Sequence, residues 1–213
     1  MALSAHALTT VEQAQYQIGD TSVPAAVVER LINAASDAIR RYCNRDFARQ
    51  TVTERVAGYG SSRLVLSLTP VVEVASIQGP EGVICTGPFT IEDADAGFVT
   101  AAGSVWTRTG DVRTGPLGMY AGTDARAEIV VEYTGGYVTP AQVAAAAKAD
   151  PDNPIEQTLP YDLEQACLEL VAAWHHERQR DPGVVSEKLG NAGWTYGIPP
   201  WMEKLLSPWK RVV

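Results

Sequence analysis

Apolar positions in the first part of the chain recur at helical spacing. Val11, Ala14 and Ile18 form a short stripe that Gly19 closes. Thr9-Thr10-Val11-Glu12 sets a hydroxyl three residues before a carboxylate, the reciprocal pattern that opens a helix. Pro24 suits the first turn of a second helix, where its missing N–H has no partner to lose. Val28, Leu31, Ile32, Ala35, Ile39 and Tyr42 then share one face, which predicts a helix over Pro24 to Cys43. From Gln50 to about Tyr137 the texture becomes β-branched and is broken by Gly, Pro and Ser. Strands are predicted over 52–57, 63–68, 71–77 and 128–133, with further candidates at 84–91 and 97–107. Helical character returns in the alanine-rich run Ala141 to Lys148, stopped by Asp150-Pro151-Asp152-Asn153-Pro154. Pro160 and Asp162 open the clearest helix, in which Leu163, Ala166, Cys167, Leu170, Val171 and Trp174 fall on one face. Asp181-Pro182-Gly183 ends it, a short strand is expected around Trp194 to Tyr196, and Pro199-Pro200 opens a last helical turn or two.

Helices, then strands, then helices is an order that argues for an α+β fold. The expected architecture is a helical core with an inserted β-rich subdomain. The N-terminal helix pair and the long C-terminal helix (residues 1–49 and 138–213) make the core, and residues 50–137 make the insertion.

Composition narrows the function more than the fold. The 213 residues are 46% hydrophobic and carry a formal charge of −8, so the chain lacks the broad basic footprint of a protein built to grip nucleic acid. Cys43, Cys85 and Cys167 are odd in number and far apart, which points to buried thiols in a reducing cytoplasm and not to disulfides or zinc. Met1 to Thr10 lacks the basic start of a secretory signal, and no apolar run reaches the ~18 residues of a membrane span.

Candidate chemistry is thin. His175 and His176 sit beside Glu177, but neighbours on a helix point about 100° apart. The positions a helical zinc pair would need are Gln179 and Arg180, so no metal or catalytic role is expected. Gly58-Tyr59-Gly60-Ser61-Ser62 lacks the elements of a phosphate loop and reads as a hairpin turn. Glu92-Asp93-Ala94-Asp95-Ala96-Gly97 lacks a calcium loop's register and closing glutamate, and reads as an acidic turn. Arg40, Arg41, Arg45 and Arg49 form the one basic cluster, a candidate contact for phosphate or an acidic partner, with a solvated helix end as the blander reading. Trp201, Met202 and Trp209, together with Pro208, make the C-terminus a candidate interface. No cofactor and no metal are expected.

One resemblance spans several of these segments in order. Leu8-Thr9-Thr10-Val11-Glu12 leads through Leu31-Ile32-Asn33-Ala34-Ala35-Ser36-Asp37-Ala38-Ile39 to Asn44-Arg45-Asp46-Phe47. Val131 to Tyr137, Asp162 to Trp174, Gly183 to Gly190, Trp194-Thr195-Tyr196 and Pro199-Pro200 follow. This series resembles the head–tail connector (adaptor) proteins of tailed bacteriophages. The resemblance implies a structural, non-enzymatic subunit of a twelve-fold ring beneath the portal protein, at the virion neck, assembled in the bacterial cytoplasm. Its partners would be the portal, neighbouring copies and a downstream neck or tail protein, with DNA passing through unbound and no membrane involved. In that family the C-terminal segment engages the portal, which would assign Trp201, Met202 and Trp209 to that contact. The net negative charge would keep DNA sliding, by repulsion over about one Debye length, ~8–10 Å.

A second reading is a carbohydrate- or protein-binding β module with helical flanks, carried by Tyr59, Trp106 and Tyr120. An enzyme using His175, His176 and Glu177 ranks third. A DNA-binding regulator ranks last.

Overall fold

The computed structural model of the chain describes residues 2–57, 62–79, 89–101, 128–177, 186–189, 192–195 and 200–211. These form five α-helices and eight strands, an α+β fold. The chain divides into two compact units, Met1–Ala48 with Val138–Val213, and Arg49–Tyr137.

In the helical unit, α1 (Val11–Ile18), α2 (Ala25–Cys43) and α4 (Tyr161–Glu177) pack on one another, and α5 (Pro200–Leu206) packs on α4. Val28, Leu31, Ile32, Ala35 and Ile39 of α2 and Leu163, Ala166, Cys167, Leu170 and Val171 of α4 are buried, as their spacing demands. Each large aliphatic among them contributes about 1.5–3 kcal/mol by leaving water. Tyr42 and Trp174, at the far ends of the two stripes, are only half-buried.

The start of α1 differs from the expected pairing of Thr9 with Glu12. Thr10 is the N-cap, and its hydroxyl accepts from the Gln13 N–H at 3.3 Å. Thr9 is buried and donates to Gln13 Oε1 (2.9 Å) and Glu164 Oε1 (3.5 Å), so it ties α1 to α4. Gly19 ends α1 at φ 78°, and Asn44 ends α2 at φ 51°, each in the left-handed region that a helix stop uses. Ser36 of α2 accepts the Leu8 N–H at 3.1 Å in the same buried layer.

Between α2 and α4 in sequence stands α3 (Pro140–Ala149), opened by a full capping box between Thr139 and Gln142. Pro140 is its single buried residue. The loop after it is pinned at both ends. Asp150 accepts from the Asp152 N–H and from the Asn153 amide, and Thr158 and Leu159 donate N–H bonds to the Val138 carbonyl. Gln157 donates to buried Glu164 at 2.8 Å. β7 (Ser186–Leu189) and β8 (Ala192–Thr195) form a two-stranded antiparallel ribbon.

The second unit holds two three-stranded antiparallel sheets. One has the order β1-β6-β3, from β1 (Gln50–Ala57), β6 (Glu128–Gly135) and β3 (Val71–Gln78). The other has the order β2-β5-β4, from β2 (Arg63–Val65), β5 (Phe98–Ala101) and β4 (Phe89–Asp93). Ile129, Val131 and Tyr133 alternate inward along β6, the two-residue period of a strand with one face buried. They join Val56, Leu64, Leu66, Leu68, Ile77 and Val99 in one core. The paired length of β1 and β6 runs unbroken from Gln50 opposite Gly135 to Ala57 opposite Glu128, and the Arg49 N–H bonds the Tyr137 carbonyl at 2.7 Å.

A buried polar group organises this core. Tyr133, 0% exposed, donates its hydroxyl to Glu54 Oε2 at 2.6 Å and accepts the Leu68 N–H at 2.8 Å. The same Glu54 oxygen takes the Ser67 N–H at 2.9 Å. The acidic segment before Gly97 is a turn, as its composition suggests: the Asp93 carboxylate accepts the Ala96 N–H, and Gly97 sits at φ 76° with a Cβ's space occupied by the Leu66 carbonyl. Glu92 is not loose in solvent but pairs with Arg63, whose guanidinium also lies 4.9 Å over the Phe98 ring.

Candidate docking surfaces

Of the three C-terminal residues nominated as an interface, Met202 is 1% exposed and belongs to the core of the helical unit. It offers no surface to a partner in this conformation. The reason is the amphipathic register of α5, in which Met202 and Leu206, four apart, face inward together. Trp209 is half-buried. Its Nε1–H donates to Asp162 Oδ2 at 2.7 Å, and its ring meets Phe47 edge-on at 6.5 Å. Trp201 lies in the first turn of α5. The backbone closes the arrangement, since the Arg211 N–H bonds the Cys43 carbonyl at 2.8 Å.

The arginine cluster is largely used within the chain. Arg40 pairs with Asp37 (3.4 Å) and Asp46 (3.1 Å), and Arg45 stacks 5.1 Å over the Phe47 ring. Arg49, in the β unit, donates Nε–H to the Gly136 carbonyl at 3.4 Å. Arg41 is exposed on the last turn of α2, where a cation also meets the negative end of the helix dipole.

His175 and His176 stack edge to face, 5.6 Å between centroids, at the end of α4. Among the described residues, no three His, Cys, Asp or Glu side chains stand close enough to hold a metal ion, and no helix is long and apolar enough to cross a membrane. Cys43 and Cys167 are buried, and burial pushes their thiols up to about 11 and about 12 respectively. A thiol so placed stays protonated and is a poor nucleophile. Tyr59, Trp106 and Tyr120, which carried the β-module reading, lie outside the described residues, as do Cys85 and the Gly58 to Ser61 turn.

Two clefts in the helical unit were not signalled by any motif. The first, of about 750 Å³, lies between the N-terminal segment and start of α1 and the face of α3; Leu3, Val11, Ala141, Ala144 and Ala145 line it, with Lys148, Glu12 and Glu29 among its polar residues. Asn33 holds its N-terminal wall by accepting the Ser4 N–H and donating to the Ala2 carbonyl. The second, of about 410 Å³, lies between α1 and α4 and is lined by Tyr16, Tyr161, Gln13, Gln17, Gln165 and Leu168, with Glu164 at its base. Tyr161 is 82% exposed and Tyr16 is 70% exposed. Gln17 and Gln165 both donate to Glu169 Oε1, at 3.0 and 2.8 Å, which holds that rim in one arrangement. The one sequence signal for this surface was two large aromatics standing off the apolar stripes of their helices. Tyr16 lies away from Ala14 and Ile18, and Tyr161 lies about 200° round α4 from Leu163.

The profile of one protein family, described as head completion protein, matches residues 7–212. The fold is similar to a chain in the neck of an empty gene transfer agent particle computed with C6 symmetry, with TM-score 0.59 and 17% identity over 100% of this chain and 94% of that one. A chain of the native gene transfer agent virion gives 0.58 and 16%, again over 100% and 94%. A chain in the native neck computed with C12 symmetry gives 0.55 and 17%, over 100% and 93%. No curated protein matches the sequence.

Proposed function

Because the chain belongs to the head completion protein family, we propose that it is a head–tail connector: a ring subunit that docks beneath the portal of a DNA-filled head and carries the neck or tail. The single observation that bears most weight is the extent of the family match, residues 7–212, which takes in both the helical unit and the inserted β unit. The neck chains with the same fold come from particles computed with C6 and C12 symmetry, which supports a ring of twelve copies. Closed cyclic rings of identical subunits are built from repeated head-to-tail contacts.

The role is structural and not catalytic. Among the described residues the two thiols are buried, and the rings of His175 and His176 meet edge to face. A net charge of −8 suits a channel through which DNA slides without adhering. Portal contact by the C-terminal segment rests on Trp201 and Trp209, Met202 being buried. The particles form in the bacterial cytoplasm and the protein ends at the virion neck.

Electron microscopy of particles made without this gene tests the proposal. DNA-leaking heads beside complete free tails, rejoined when purified protein is added, are expected. Normal tailed particles in its absence would end the connector reading.

A further inference from the structure

We infer that the two clefts of the helical unit are the two halves of one subunit–subunit contact: Tyr16 and Tyr161 of one copy seat in the alanine-lined cleft of a second copy of this chain. The inference rests on the connector reading and deepens it by naming the surfaces.

A ring of identical subunits needs two different, mutually complementary surfaces on each copy, facing opposite ways. The clefts are two different surfaces that both border α1. With Ala14 taken as the inward direction, ~100° per residue puts Val11 and Glu12 at about +60° and +160°. The same count puts Gln17, Gln13 and Tyr16 at about −60°, −100° and −160°. The alanine-lined cleft takes Thr10, Val11 and Glu12 and the tyrosine cleft takes Gln13, Tyr16 and Gln17, so the two surfaces share no residue of this segment.

Charge selects the tyrosine cleft. Copies carrying −8 each repel, so they approach best where charge is sparse. The tyrosine cleft has Glu164 as its single charged lining residue, and Glu164 is buried, accepting from Gln157 and Thr9 within the chain. The alanine-lined cleft carries Lys148 at its exposed helix end and Glu12 and Glu29 beside α1. Phenol hydroxyls donate to carboxylates, and an ammonium suits Glu169 on the opposite rim, so the polar groups match in kind.

Shape and area agree. Tyrosines standing 70% and 82% exposed are unusual on a free surface and typical of interface anchors, because they offer large area at little entropic cost. Each can bury about 150–250 Å², a good share of the ~800 Å² a stable contact takes from each side. The receiving wall is α3, ten residues with only Pro140 buried. A helix that short is marginal in water unless something packs on it.

The test uses the full chain with Cys85→Ser, carrying Ala145→Cys and Gln165→Cys together or singly, added to connector-deficient particles and treated with a short bismaleimide. A ladder of covalent multimers from the double variant, with none from either single variant, is expected. In parallel, Tyr16→Ala with Tyr161→Ala should lower incorporation into necks at least tenfold while the purified chain's melting midpoint moves by less than about 2 °C. Cross-links to another particle protein, dimers from a single-cysteine variant, or full incorporation of the tyrosine variant would each overturn the inference and leave the connector reading standing. Wild-type protein that fails to enter necks at all would instead remove the connector reading, and this inference with it.

Discussion

Replacing Tyr133 by Phe removes one oxygen from the centre of the β unit and keeps the ring. The hydroxyl donates to Glu54 Oε2 at 2.6 Å and accepts the Leu68 N–H at 2.8 Å, and Tyr133 is fully buried. Its loss leaves the Leu68 N–H without an acceptor in a buried setting, which costs about 1–3 kcal/mol. Glu54 is only half-buried and keeps the Ser67 N–H, so its share lies at the low end. The expected total is roughly 2 kcal/mol, or about 4–8 °C in the melting midpoint for a chain of this size. Urea unfolding followed by circular dichroism should show a lower midpoint at unchanged slope, since no extra surface is exposed. Tyr16→Phe is the internal control, because an exposed tyrosine should move stability by no more than about 0.5 kcal/mol. A Tyr133→Phe loss as small as that of Tyr16→Phe would refute the reasoning that this hydroxyl holds β6 to β1 and the segment after β2.

Met202→Ala should cost the isolated chain about 2–5 kcal/mol, as truncation of a core methionine does, and calorimetry of the free protein would register it before any partner is present. Asn44→Ala should destabilise by roughly 1–2 kcal/mol, because φ 51° suits Asn or Gly and strains a Cβ, whereas Asn44→Gly should be near neutral; paired denaturation curves decide between them. Stability should also fall in alkali. Burial raises the folded thiols of Cys43 and Cys167 to about 11 and about 12 from 9.0, and the Tyr133 phenol to about 12 from 10.0. Groups raised on folding stabilise fully below their unfolded values, and that contribution is lost as pH climbs through the folded ones. The urea midpoint should therefore hold to about pH 9 and drop towards pH 12, with Cys43→Ala and Cys167→Ala together removing the earliest part of the fall.

Helices were legible because their signal is local. α2 begins one residue after the expected Pro24 and ends at the expected Cys43, and α4 buries five of the six residues its spacing selected. The class was legible for the same reason, since strands set between helices leave few alternatives to α+β. Strand limits were harder to read. The candidate at 84–91 falls on β4 at Phe89–Ile91 and the one at 97–107 on β5 at Phe98–Ala101, with 84–88 and 102–107 outside the described residues. Those limits depend on cross-strand partners that no single segment encodes. The candidate docking residues were the least legible. A C-terminal run rich in Trp and Met looks the same whether it faces a partner or its own core, and the Met202 side chain went to the core. The tyrosine cleft needs α1 and α4 brought together across more than a hundred residues of sequence, so neither Tyr16 nor Tyr161 was conspicuous alone. Thr9 shows the same limit, because besides Gln13 it reaches Glu164, which belongs to another helix.

The long zipper between β1 and β6 gives the chain a place that tolerates novelty. Since Gln50 faces Gly135 and the pairing continues to Ala57 and Glu128, the two strands run side by side over that whole length, one interstrand spacing apart, ~4.8 Å. Sequence added in a loop beyond that stem leaves Gln50 opposite Gly135. Doubling the length of such an excursion costs only about 0.6 kcal/mol in closure entropy. A fluorescent or affinity cassette inserted between Ala57 and Glu128 should therefore leave the pairing of Gln50 with Gly135 in place.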